Sequence, residues 1–407
     1  MKRILFLTQW FYPELSFKGL PFTKELSKLG YEAQVLTGFP NYPGGKVYDG
    51  YKIKLFQREI IDGISVFRVP LYPSHDNKPL NRIANYISFA LSASFLGFLG
   101  IKRPDLIYAY HPPATIGLPA LFLHLLYRVP FVYDIQDLWP DTLPATGMVN
   151  NRAAIWLVKK WCQLIYSQAA KIVVLSPGFK EILTRRGVPE NKIEVIYNWC
   201  HEEHLQAVVR NEALGKELGM ADRFNIVFAG TMGKAQALSA VLDAARLLFD
   251  KLPKIQFVFV GGGIDVERLK KIKDAQGLKN VRFLPHQPMS EIGEILGLAD
   301  VLLVHLKDDP LFKITIPGKT QAYMAAGRPI LIGVRGDAAA LVEKAGAGIA
   351  CTPEDPLDIA LAVERLYNLS REKLDRMGQN GRSFYKQELS LYVGVRRFEK
   401  IFASLIK

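Results

Sequence analysis

Short apolar runs alternate along the whole chain with segments whose apolar residues recur at helical spacing. Runs rich in Val, Ile and Phe are typical of buried strands, and the alternation is typical of parallel sheets covered by helices. Asp62-Gly63, between two such runs, predicts a hairpin turn. The strands predicted in the first half are Ile53–Ile61 and Ser65–Val69 around that turn, with Ile4–Thr8, Ala33–Leu36, Asp105–Tyr110, Phe131–Ile135, Ile172–Leu175 and Glu194–Tyr197.

The alternation pauses in the polar stretch Asn198–Arg223 and then restarts, which predicts a domain boundary near residue 200. Two α/β domains in tandem leave a cleft between them, the usual place for a ligand. Arg371–Gln387 and Leu391–Ile406 are predicted as helices. The strands predicted in the second half are Asn225–Ala229, Ile255–Val260, Val281–Leu284, Val301–Leu306, Pro329–Val334 and Gly348–Thr352.

Length and composition agree with two globular domains. The chain has 407 residues, of which 49% are hydrophobic and 22% charged, and this is too long for one compact core. Its three cysteines are odd in number and widely spaced, which favours a reducing compartment. The apolar strand predicted at Ile4–Leu7 leaves no room for a cleavable signal peptide, so we expect a cytoplasmic protein.

The formal charge is +13, and residues 1–200 contribute +9 of it. Such a basic half suits a nucleic acid, an anionic membrane surface or a phosphorylated ligand, although a solvated basic surface would look the same. Because the cations are dispersed and no RNA-binding or helix-turn-helix signature occurs, nucleic acid is not expected. The longest apolar run, Tyr86–Ile101, would form a helix of about 24 Å, shorter than a bilayer core of about 30 Å. It predicts either a buried core helix or a helix on a membrane surface.

The segment Phe312–Pro329 carries the main sign of chemistry. Pro317-Gly318 breaks the chain, Lys319 opens a short apolar helix, and Gly327 ends it. A helix N-terminus carries about half a positive charge and free N–H groups, so a lysine there suits an anionic ligand. The segment therefore predicts a phosphate site.

Polar and aromatic residues follow two predicted strands of the first domain, at the edge where such sheets bind ligands. His111 follows Asp105–Tyr110 and is either a structural histidine or a ligand or proton-transfer group. A binding surface for a carbohydrate acceptor is predicted from Tyr133, Asp134, Asp137 and Trp139. Helix capping by Asp137 or Asp141 is the competing interpretation. Gly19, after the first strand, is either a phosphate contact or an ordinary turn glycine.

Other motifs argue against common cofactors and metals. Gly261-Gly262-Gly263 lies between a strand and a helix but lacks the spacing of a dinucleotide fingerprint, and a tight turn explains it. His201–His204 reads HEEH, which is not the zinc motif HExxH, and Asp134 and Asp137 do not form a DxD pair. We therefore expect neither a cofactor nor a metal.

Seven segments resemble family 4 glycosyltransferases, which have the two-domain GT-B fold, and most closely the WbuB-type branch that includes N-acetylhexosamine transferases. The resemblance covers nearly the whole chain. It is carried by FKGLPFTKEL, VLTGFPNYPGG, YHPPATIGLP, YDIQDLWPDT, VVLSPGFK, VIYNW and PGKTQAYMAAGRPI, which are Phe17–Leu26, Val35–Gly45, Tyr110–Pro119, Tyr133–Thr142, Val173–Lys180, Val195–Trp199 and Pro317–Ile330.

The resemblance implies two doubly wound Rossmann-like domains facing a central cleft. Residues 1–200 would bind the acceptor, residues 201–387 would bind the nucleotide-sugar donor, and a helix at about 388–407 would pack back on the first domain. The enzyme would transfer a sugar, an N-acetylated hexosamine in that branch, from a UDP-sugar to a lipid-linked or lipopolysaccharide acceptor for bacterial surface polysaccharide. Retention of configuration, no metal, and a peripheral position at the inner face of the plasma membrane are expected. A GT-B sugar-nucleotide epimerase and a non-catalytic nucleotide-sugar-binding protein are the alternatives.

The chain departs from the family at four positions. Aligning AYMAAGRP puts Ala322 and Ile314 where the family carries two glutamates that contact ribose and donor sugar. Thr231 and Gln236 stand where it carries an arginine and a lysine. We expect Lys234 and Lys319 to supply that missing positive charge.

The residues and the resemblance together predict a role for each candidate site residue. We expect catalysis from His111, Asp137 and Lys319, and acceptor contacts from Tyr133, Asp134 and Trp139. The donor diphosphate is expected to meet Gly19, Lys234, Lys313, Gly318, Lys319 and Thr320, and the nucleotide Gly230, Gly262, His286 and Gln321. Sugar, base, acceptor, linkage and oligomeric state do not follow from the sequence.

Overall fold

The computed structural model describes residues 1–14, 16–74, 79–145, 148–149, 151–205 and 210–406, and the chain forms two compact units. The first unit comprises Met1–Tyr197 together with Gly394–Lys407, and the second comprises Asn198–Val393. The division lies close to the boundary that the polar stretch after residue 197 predicts.

The first unit contains an eight-stranded sheet in the order β3-β4-β2-β1-β5-β6-β7-β8. All neighbours pair in parallel except β3 and β4, which form the predicted hairpin with Asp62 and Gly63 in the left-handed region at φ 49° and 83°. The strands are β1 (Arg3–Thr8), β2 (Glu32–Gly38), β3 (Gln57–Ile61), β4 (Ile64–Val69), β5 (Leu106–Tyr110), β6 (Phe131–Ile135), β7 (Lys171–Val174) and β8 (Ile193–Val195).

Helices of this unit connect the parallel strands. They are α1 (Leu20–Lys28), α2 (Pro79–Phe95), α3 (Gly117–Tyr127), α4 (Thr142–Ala145), α5 (Arg152–Gln168) and α6 (Pro177–Arg185). The last helix of the chain, α16 (Leu391–Leu405), also packs here, because Phe398 and Phe402 contact the buried ring of Tyr108 at centroid distances of 5.2 and 5.6 Å. Helices before and after the second unit thus share one core.

The apolar run at Tyr86–Ile101 forms most of α2 and a short 3₁₀ turn after it. One face, including Phe89 and Ala93, is fully buried, while Ile87, Leu91 and Phe95 on the other face are 46%, 45% and 60% exposed. By length and hydropathy, Pro79–Leu99 qualifies as a candidate membrane span within the described residues, with 39% of its most apolar window buried. The helix combines a core face with an exposed apolar face.

The second unit is built on a six-stranded parallel sheet in the order β11-β10-β9-β12-β13-β14. Its strands are β9 (Phe224–Ala229), β10 (Ile255–Val260), β11 (Val281–Leu284), β12 (Val301–His305), β13 (Ile330–Gly333) and β14 (Gly348–Ala350). Its helices are α7 (Glu212–Glu217), α8 (Leu238–Leu248), α9 (Val266–Ala275), α10 (Met289–Gly297), α11 (Pro310–Lys313), α12 (Gly318–Ala326), α13 (Asp337–Lys344), α14 (Pro356–Tyr367) and α15 (Arg371–Phe384).

Parallel pairing brings the carboxyl ends of neighbouring strands together in each unit. In the first, Thr8 of β1 pairs with Tyr110 of β5, and Tyr110 pairs with Asp134 of β6. In the second, Ala229 of β9 pairs with Val260 of β10. The loops after β5 and β6 are therefore neighbours, and so are those after β9 and β10.

Candidate functional site

Two glycine loops at the carboxyl ends of β9 and β10 pack backbone against backbone. Gly230, Gly261 and Gly263 have φ of 127°, 132° and 145°, a region that side chains rarely allow. A Cβ at Gly261 would lie 2.3 Å from the carbonyl oxygen of Gly230, and one at Gly263 would lie 2.1 Å from that of Met232. A Cβ at Gly262 would meet nothing within 4 Å. The predicted nucleotide residues Gly230 and Gly262 thus belong to one loop pair, with open space at Gly262.

Lys319 lies across this loop pair from the first turn of α12. Its Nζ is 3.3 Å from the centroid of the Phe228 ring, and its Cε is 2.7 Å from the position a Cβ would take at Gly230. Nζ is buried and has no hydrogen-bond partner among the described residues. Burial lowers the pKa of this amine from 10.5 to about 7. A buried, unpaired amine beside glycine backbone is costly, and an anion would remove that cost.

The orientation of α12 is fixed one turn after Lys319. The hydroxyl of Tyr323 accepts a hydrogen bond from Ala229 N (2.9 Å) and donates one to Ala229 O (3.3 Å). Residues four apart share a helix face, so this clamp also holds Lys319 against the end of β9. Tyr323 and Phe228 were not predicted as site residues, although Tyr323 lies in the segment Phe312–Pro329 and Phe228 in the predicted strand Asn225–Ala229.

Thr320 and Gln321 follow Lys319, and their Oγ1 and Oε1 atoms are likewise buried, with no hydrogen-bond partner in the described part of the chain. Successive helical residues point about 100° apart, so these two atoms do not share the direction of Lys319 Nζ. Gly318 begins α12 at the N-terminal end, where free N–H groups and the helix dipole favour an anion.

The remaining residues predicted in the second unit are more exposed. Lys234 opens a short 3₁₀ turn, Lys234–Gln236, and its charge helps to lower the pKa of Asp265, which is lowered mainly by a hydrogen bond from Arg268. Lys313 pairs with Asp308 at 3.3 Å and is about half exposed. His286 is exposed in the loop after β11. No hydrogen bond or ion pair links any of the three to Lys319 within the described chain.

In the first unit, His111 directly follows β5 and is buried. Its Nδ1 accepts a hydrogen bond from the backbone N–H of Asp137 at 3.4 Å, so the proton of the neutral ring is on Nε2. Burial lowers the pKa of the imidazole to about 3, so the ring is neutral at physiological pH. The rings of Tyr133 and Trp139 meet it edge to face at centroid distances of 6.0 and 6.1 Å. The structure thus brings His111, which follows β5, into contact with Tyr133 of β6 and Trp139 of the loop after β6.

Asp137 carries a carboxylate without a hydrogen-bond or ion-pair partner among the described residues, and burial raises its pKa. Asp137 is not the N-cap residue of any described helix, so the capping role that competed for it has no counterpart here. An unpaired, half-buried carboxylate next to a neutral imidazole can accept hydrogen bonds from sugar hydroxyls.

Two predicted acceptor residues instead have internal positions. Asp134 is fully buried, and its carboxylate accepts hydrogen bonds from Lys18 Nζ (2.6 Å), Tyr108 OH (2.5 Å) and Gln136 Nε2 (2.6 Å). Tyr133 is also buried, and its hydroxyl donates to the carbonyl oxygen of Ala114 at 3.3 Å. This geometry gives the acceptor contacts predicted for Asp134 and Tyr133 no support, because no described surface exposes their polar atoms.

Gly19 is buried at the N-cap position of α1, and a Cβ there would lie 3.3 Å from Ser16 O. That spacing identifies a tight turn. Gly19 belongs to the first unit and Lys319 to the second, so its diphosphate contact stays a prediction.

A buried carboxylate in the loop after β1 was not predicted from the sequence. Glu14 is 4% exposed and accepts hydrogen bonds from the backbone N–H groups of Phe11, Asn41 and Tyr42. Burial raises the pKa of this carboxyl to about 7. A single glutamate in an aromatic stretch gives no periodic signal, and only the fold shows that it fixes the loop after β2.

Two family models match the chain and together cover most of it. The glycosyl transferase 4-like domain matches residues 21–199, and glycosyl transferases group 1 matches residues 210–384. Pseudomonas aeruginosa WbjE, named as a probable glycosyltransferase, is 26% identical over 308 residues, which are 73% of this chain and 74% of WbjE. WcaI of Escherichia coli K12, named for colanic acid biosynthesis, is 27% identical over 310 residues, 74% of this chain and 75% of WcaI. A shorter match, 30% over 43% of this chain and 48% of the relative, is to the alpha-galactosylglucosyldiacylglycerol synthase of Streptococcus pneumoniae.

Solved structures match the whole chain. Anabaena HepE in complex with UDP and glucose has a TM-score of 0.72 and 17% identity, with both chains covered completely. The sucrose-phosphate synthase of Thermosynechococcus elongatus has a TM-score of 0.71 and 14% identity, over 100% of this chain and 99% of that one. At these identities the likeness shows the fold.

Proposed function

The chain belongs to the group 1 glycosyltransferases and has their GT-B fold, and we propose that it transfers a sugar from a UDP-sugar to a lipid-linked or lipopolysaccharide acceptor. The observation that carries this proposal is the buried, unpaired Nζ of Lys319, held against a glycine loop at the N-terminus of α12. The product would serve a bacterial surface polysaccharide, the setting for which WcaI is named.

On this proposal, the donor diphosphate binds over the glycine loop pair. The ammonium of Lys319 and the N–H group of Gly318 would face the phosphate oxygens, and open space at Gly262 leaves room for the nucleotide. The backbone N–H of Thr320 donates to Pro317 O at 2.8 Å, so it is not free for the phosphate. As the glycosidic bond breaks, negative charge grows on the diphosphate, and fixed positive charge there stabilises the transition state. HepE supports the choice of UDP, since its structures contain UDP, UDP with glucose, and UDP-glucose. The lysine would supply this charge without a metal.

We assign the sugar-facing chemistry to His111 and Asp137. The neutral ring of His111 would donate its Nε2 proton to an oxygen of the donor sugar, while the carboxylate of Asp137 would accept a hydrogen bond from the acceptor hydroxyl and orient it. We propose an N-acetylated hexosamine as the sugar and retention through front-side attack, as in the WbuB-type members of family 4.

The proposed acceptor is presented at a membrane surface. Exposed apolar residues on α2, α3 and α5 accompany the charge excess of the first 200 residues. Each basic residue near an anionic bilayer contributes about 1 kcal/mol of attraction. The relative from S. pneumoniae supports a lipid acceptor, because the product in its name contains a diacylglycerol. These features favour a peripheral enzyme at the inner face of the plasma membrane. The apolar residues of these three helices that are at least 45% exposed are Leu80, Ile87, Leu91, Phe95, Leu125, Leu126, Trp156, Leu157 and Leu164.

The test is release of UDP from a panel of UDP-sugars in the presence of bacterial membrane extract. We expect one donor to turn over, and the Lys319→Ala variant to lose that turnover while Lys270→Ala, an exposed lysine on α9, keeps it. Isomerisation of UDP-N-acetylhexosamine without any acceptor would identify an epimerase. Binding of UDP without consumption of any donor would identify a non-catalytic binding protein.

A further inference from the structure

A cavity of about 430 Å³ opens in the first unit between α5 and the loop that follows α6. Trp139 and Pro140, from the loop after β6, close one side of it. The ring of Trp139 also meets His111 edge to face at 6.1 Å, so a single indole lies between the cavity and the proposed sugar-facing group. No role described above uses this cavity.

The cavity is basic. Three cations line it, Lys159, Arg186 and Lys192, and no aspartate or glutamate does. Arg186 is engaged by Asp141 at 2.6 Å. Lys192 donates to the carbonyl oxygen of Ser167 at 2.7 Å, which leaves its other two N–H groups available. Lys159 is exposed and forms no hydrogen bond or ion pair with any described residue. The cavity therefore has an excess of positive charge, which favours an anion.

The wall of the cavity continues into an apolar surface on the same helix. Trp156 precedes Lys159 by three residues, so the two side chains are neighbours on α5. Trp156, Leu157 and Leu164 are 57%, 60% and 45% exposed. Inside the cavity, Tyr166 and Val188 add apolar wall. A ligand that fits both parts has a compact anionic group attached to a hydrocarbon chain.

We propose that this cavity binds the phosphate of a phosphate-bearing lipid, with Lys159, Arg186 and Lys192 around the phosphate and the hydrocarbon along Trp156 and Leu157. The inference rests on the proposed function in one respect: the lipid is the carrier of the acceptor saccharide. Its phosphate in the cavity would place the attached sugar beside Trp139, on the side of His111. The cavity and the apolar surface beside it would position the acceptor, whereas His111, Asp137 and Lys319 would carry out the transfer.

The test uses the full chain without donor and measures binding by titration calorimetry. Dihexanoyl phosphatidic acid, used below its micelle concentration, is the probe. Dihexanoyl phosphatidylcholine has the same chains without the net negative charge, and glycerol 3-phosphate has the phosphate without the chains. We expect the phosphatidic acid to bind at least about tenfold more tightly than either, a difference of about 1.4 kcal/mol.

A second exposed lysine of the first unit provides the matched control. Lys159→Glu and Lys54→Glu change the net charge equally at exposed positions, but only Lys159 lines the cavity, and Lys54 precedes β3 at the opposite edge of the sheet. We expect Lys159→Glu to weaken binding of the phosphatidic acid about tenfold and Lys54→Glu less than about twofold. Gln163→Trp, which fills the cavity from α5, should weaken it as well, and circular dichroism and thermal melting check that each variant folds.

Equal losses in the two lysine variants would show general electrostatic attraction and would overturn the proposal. It would also be overturned by tight binding of glycerol 3-phosphate, which indicates a site for free phosphate, or by tight binding of the phosphatidylcholine. Binding of UDP is measured on the same samples. If UDP binds and the phosphatidic acid does not, the cavity proposal fails and the donor site stands; if UDP does not bind, the proposed function fails by itself.

Discussion

Lys319 combines burial, the positive end of a helix and the absence of a hydrogen-bond partner among the described residues, and each of these disfavours its charged form. A lysine in such a place lowers stability unless a ligand needs it. Because the pKa in the folded chain, about 7, lies below the unfolded value of 10.5, the folded state binds fewer protons than the unfolded state between these pH values. Its contribution to stability therefore rises with pH across this window. A bound anion favours the charged form of Lys319 instead and raises the pKa of its amine.

We predict that UDP binding is coupled to proton uptake. Above about pH 7 most of the free protein has a neutral Lys319, and a bound diphosphate raises the pKa of the amine again. At pH 8 each binding event should therefore take up nearly one proton, and affinity should fall as the pH rises. Calorimetry in two buffers of different ionisation enthalpy measures the uptake.

The control for this prediction is the Lys319→Met variant, which keeps an unbranched side chain one atom shorter and removes its charge. Proton uptake should disappear, affinity for UDP should fall by about tenfold or more, and the ligand-free protein should melt at a higher temperature at pH 7. Uptake of the same size in this variant would assign the proton to another group.

We predict that His111 contributes to turnover and not to nucleotide affinity. His111→Ala removes the Nε2 donor and should lower kcat by about tenfold to hundredfold, with an unchanged Kd for UDP. His111→Gln keeps an N–H donor and should recover part of the rate. With a pKa of about 3, the histidine should produce no change in rate between pH 5 and 9. A titration in the rate near pH 6.5 that disappears in His111→Gln would contradict this assignment.

Single residues also show where sequence reasoning fails. Asp134 and Lys18 are 116 positions apart and form a fully buried ion pair, which no local pattern reveals. From the sequence, Asp134 and Asp137 look equivalent, since one lies near the end of the predicted strand Phe131–Ile135 and the other just after it. The direction of each side chain separates them, and that direction depends on where β6 ends and how the loop turns.

At the scale of elements, the hydrophobic pattern predicted the strands well because both sheets are buried on two faces. Phe131–Ile135, Ile255–Val260 and Val281–Leu284 match the structure residue for residue. The first turns of α2 were missed, since Asn81, Arg82 and Asn85 interrupt the apolar run. Asn85 is buried and bonds to Gln9 and Tyr72, so tertiary contacts support a polar residue that lowers the periodic signal.

The glycine loop pair leads to a prediction that separates folding from binding. Gly263→Ala puts a Cβ about 2.1 Å from the Met232 carbonyl oxygen at φ 145°, and it should destabilise the second unit by about 1–3 kcal/mol or more. Gly262→Ala meets no atom within 4 Å and should leave stability unchanged while it weakens UDP binding. Urea unfolding and UDP titration of both variants test this. Loss of stability in Gly262→Ala would show that its space is not free for a ligand.

The exposed face of α2 leads to a prediction about membranes. Replacing Leu91 and Phe95 together by aspartate should lower binding to vesicles of anionic phospholipid about tenfold or more, because apolar contact and charge attraction are both reduced. Leu361→Asp is the control, since this leucine is 58% exposed on α14 of the second unit. Vesicle sedimentation at two salt concentrations measures the binding. Equal losses for the two replacements would show that α2 is not the contact surface.

At the scale of the whole molecule, the chain forms the first unit, then the second, and adds its last helix to the first. Phe398 of α16 is fully buried between Phe22 and Tyr108, at centroid distances of 5.3 and 5.2 Å. Its ring also lies 5.0 Å from Lys18 Nζ, which forms the buried ion pair with Asp134. The first unit therefore cannot complete its core until the end of the chain is available.

We predict from this topology that Phe398→Ala destabilises the unit that lacks the Lys319 site. Removing a buried phenyl ring leaves a cavity and costs about 3–5 kcal/mol, here next to a buried ion pair. UDP stabilises only the unit that binds it, in proportion to the logarithm of its concentration, so a transition that shifts with UDP belongs to the second unit. Urea unfolding with and without UDP should show the UDP-insensitive transition at lower urea in Phe398→Ala and the UDP-sensitive one unchanged.

The control is Leu361→Ala, which replaces an exposed leucine of the second unit and should shift neither transition. If Phe398→Ala moves only the UDP-sensitive transition, α16 stabilises the second unit instead.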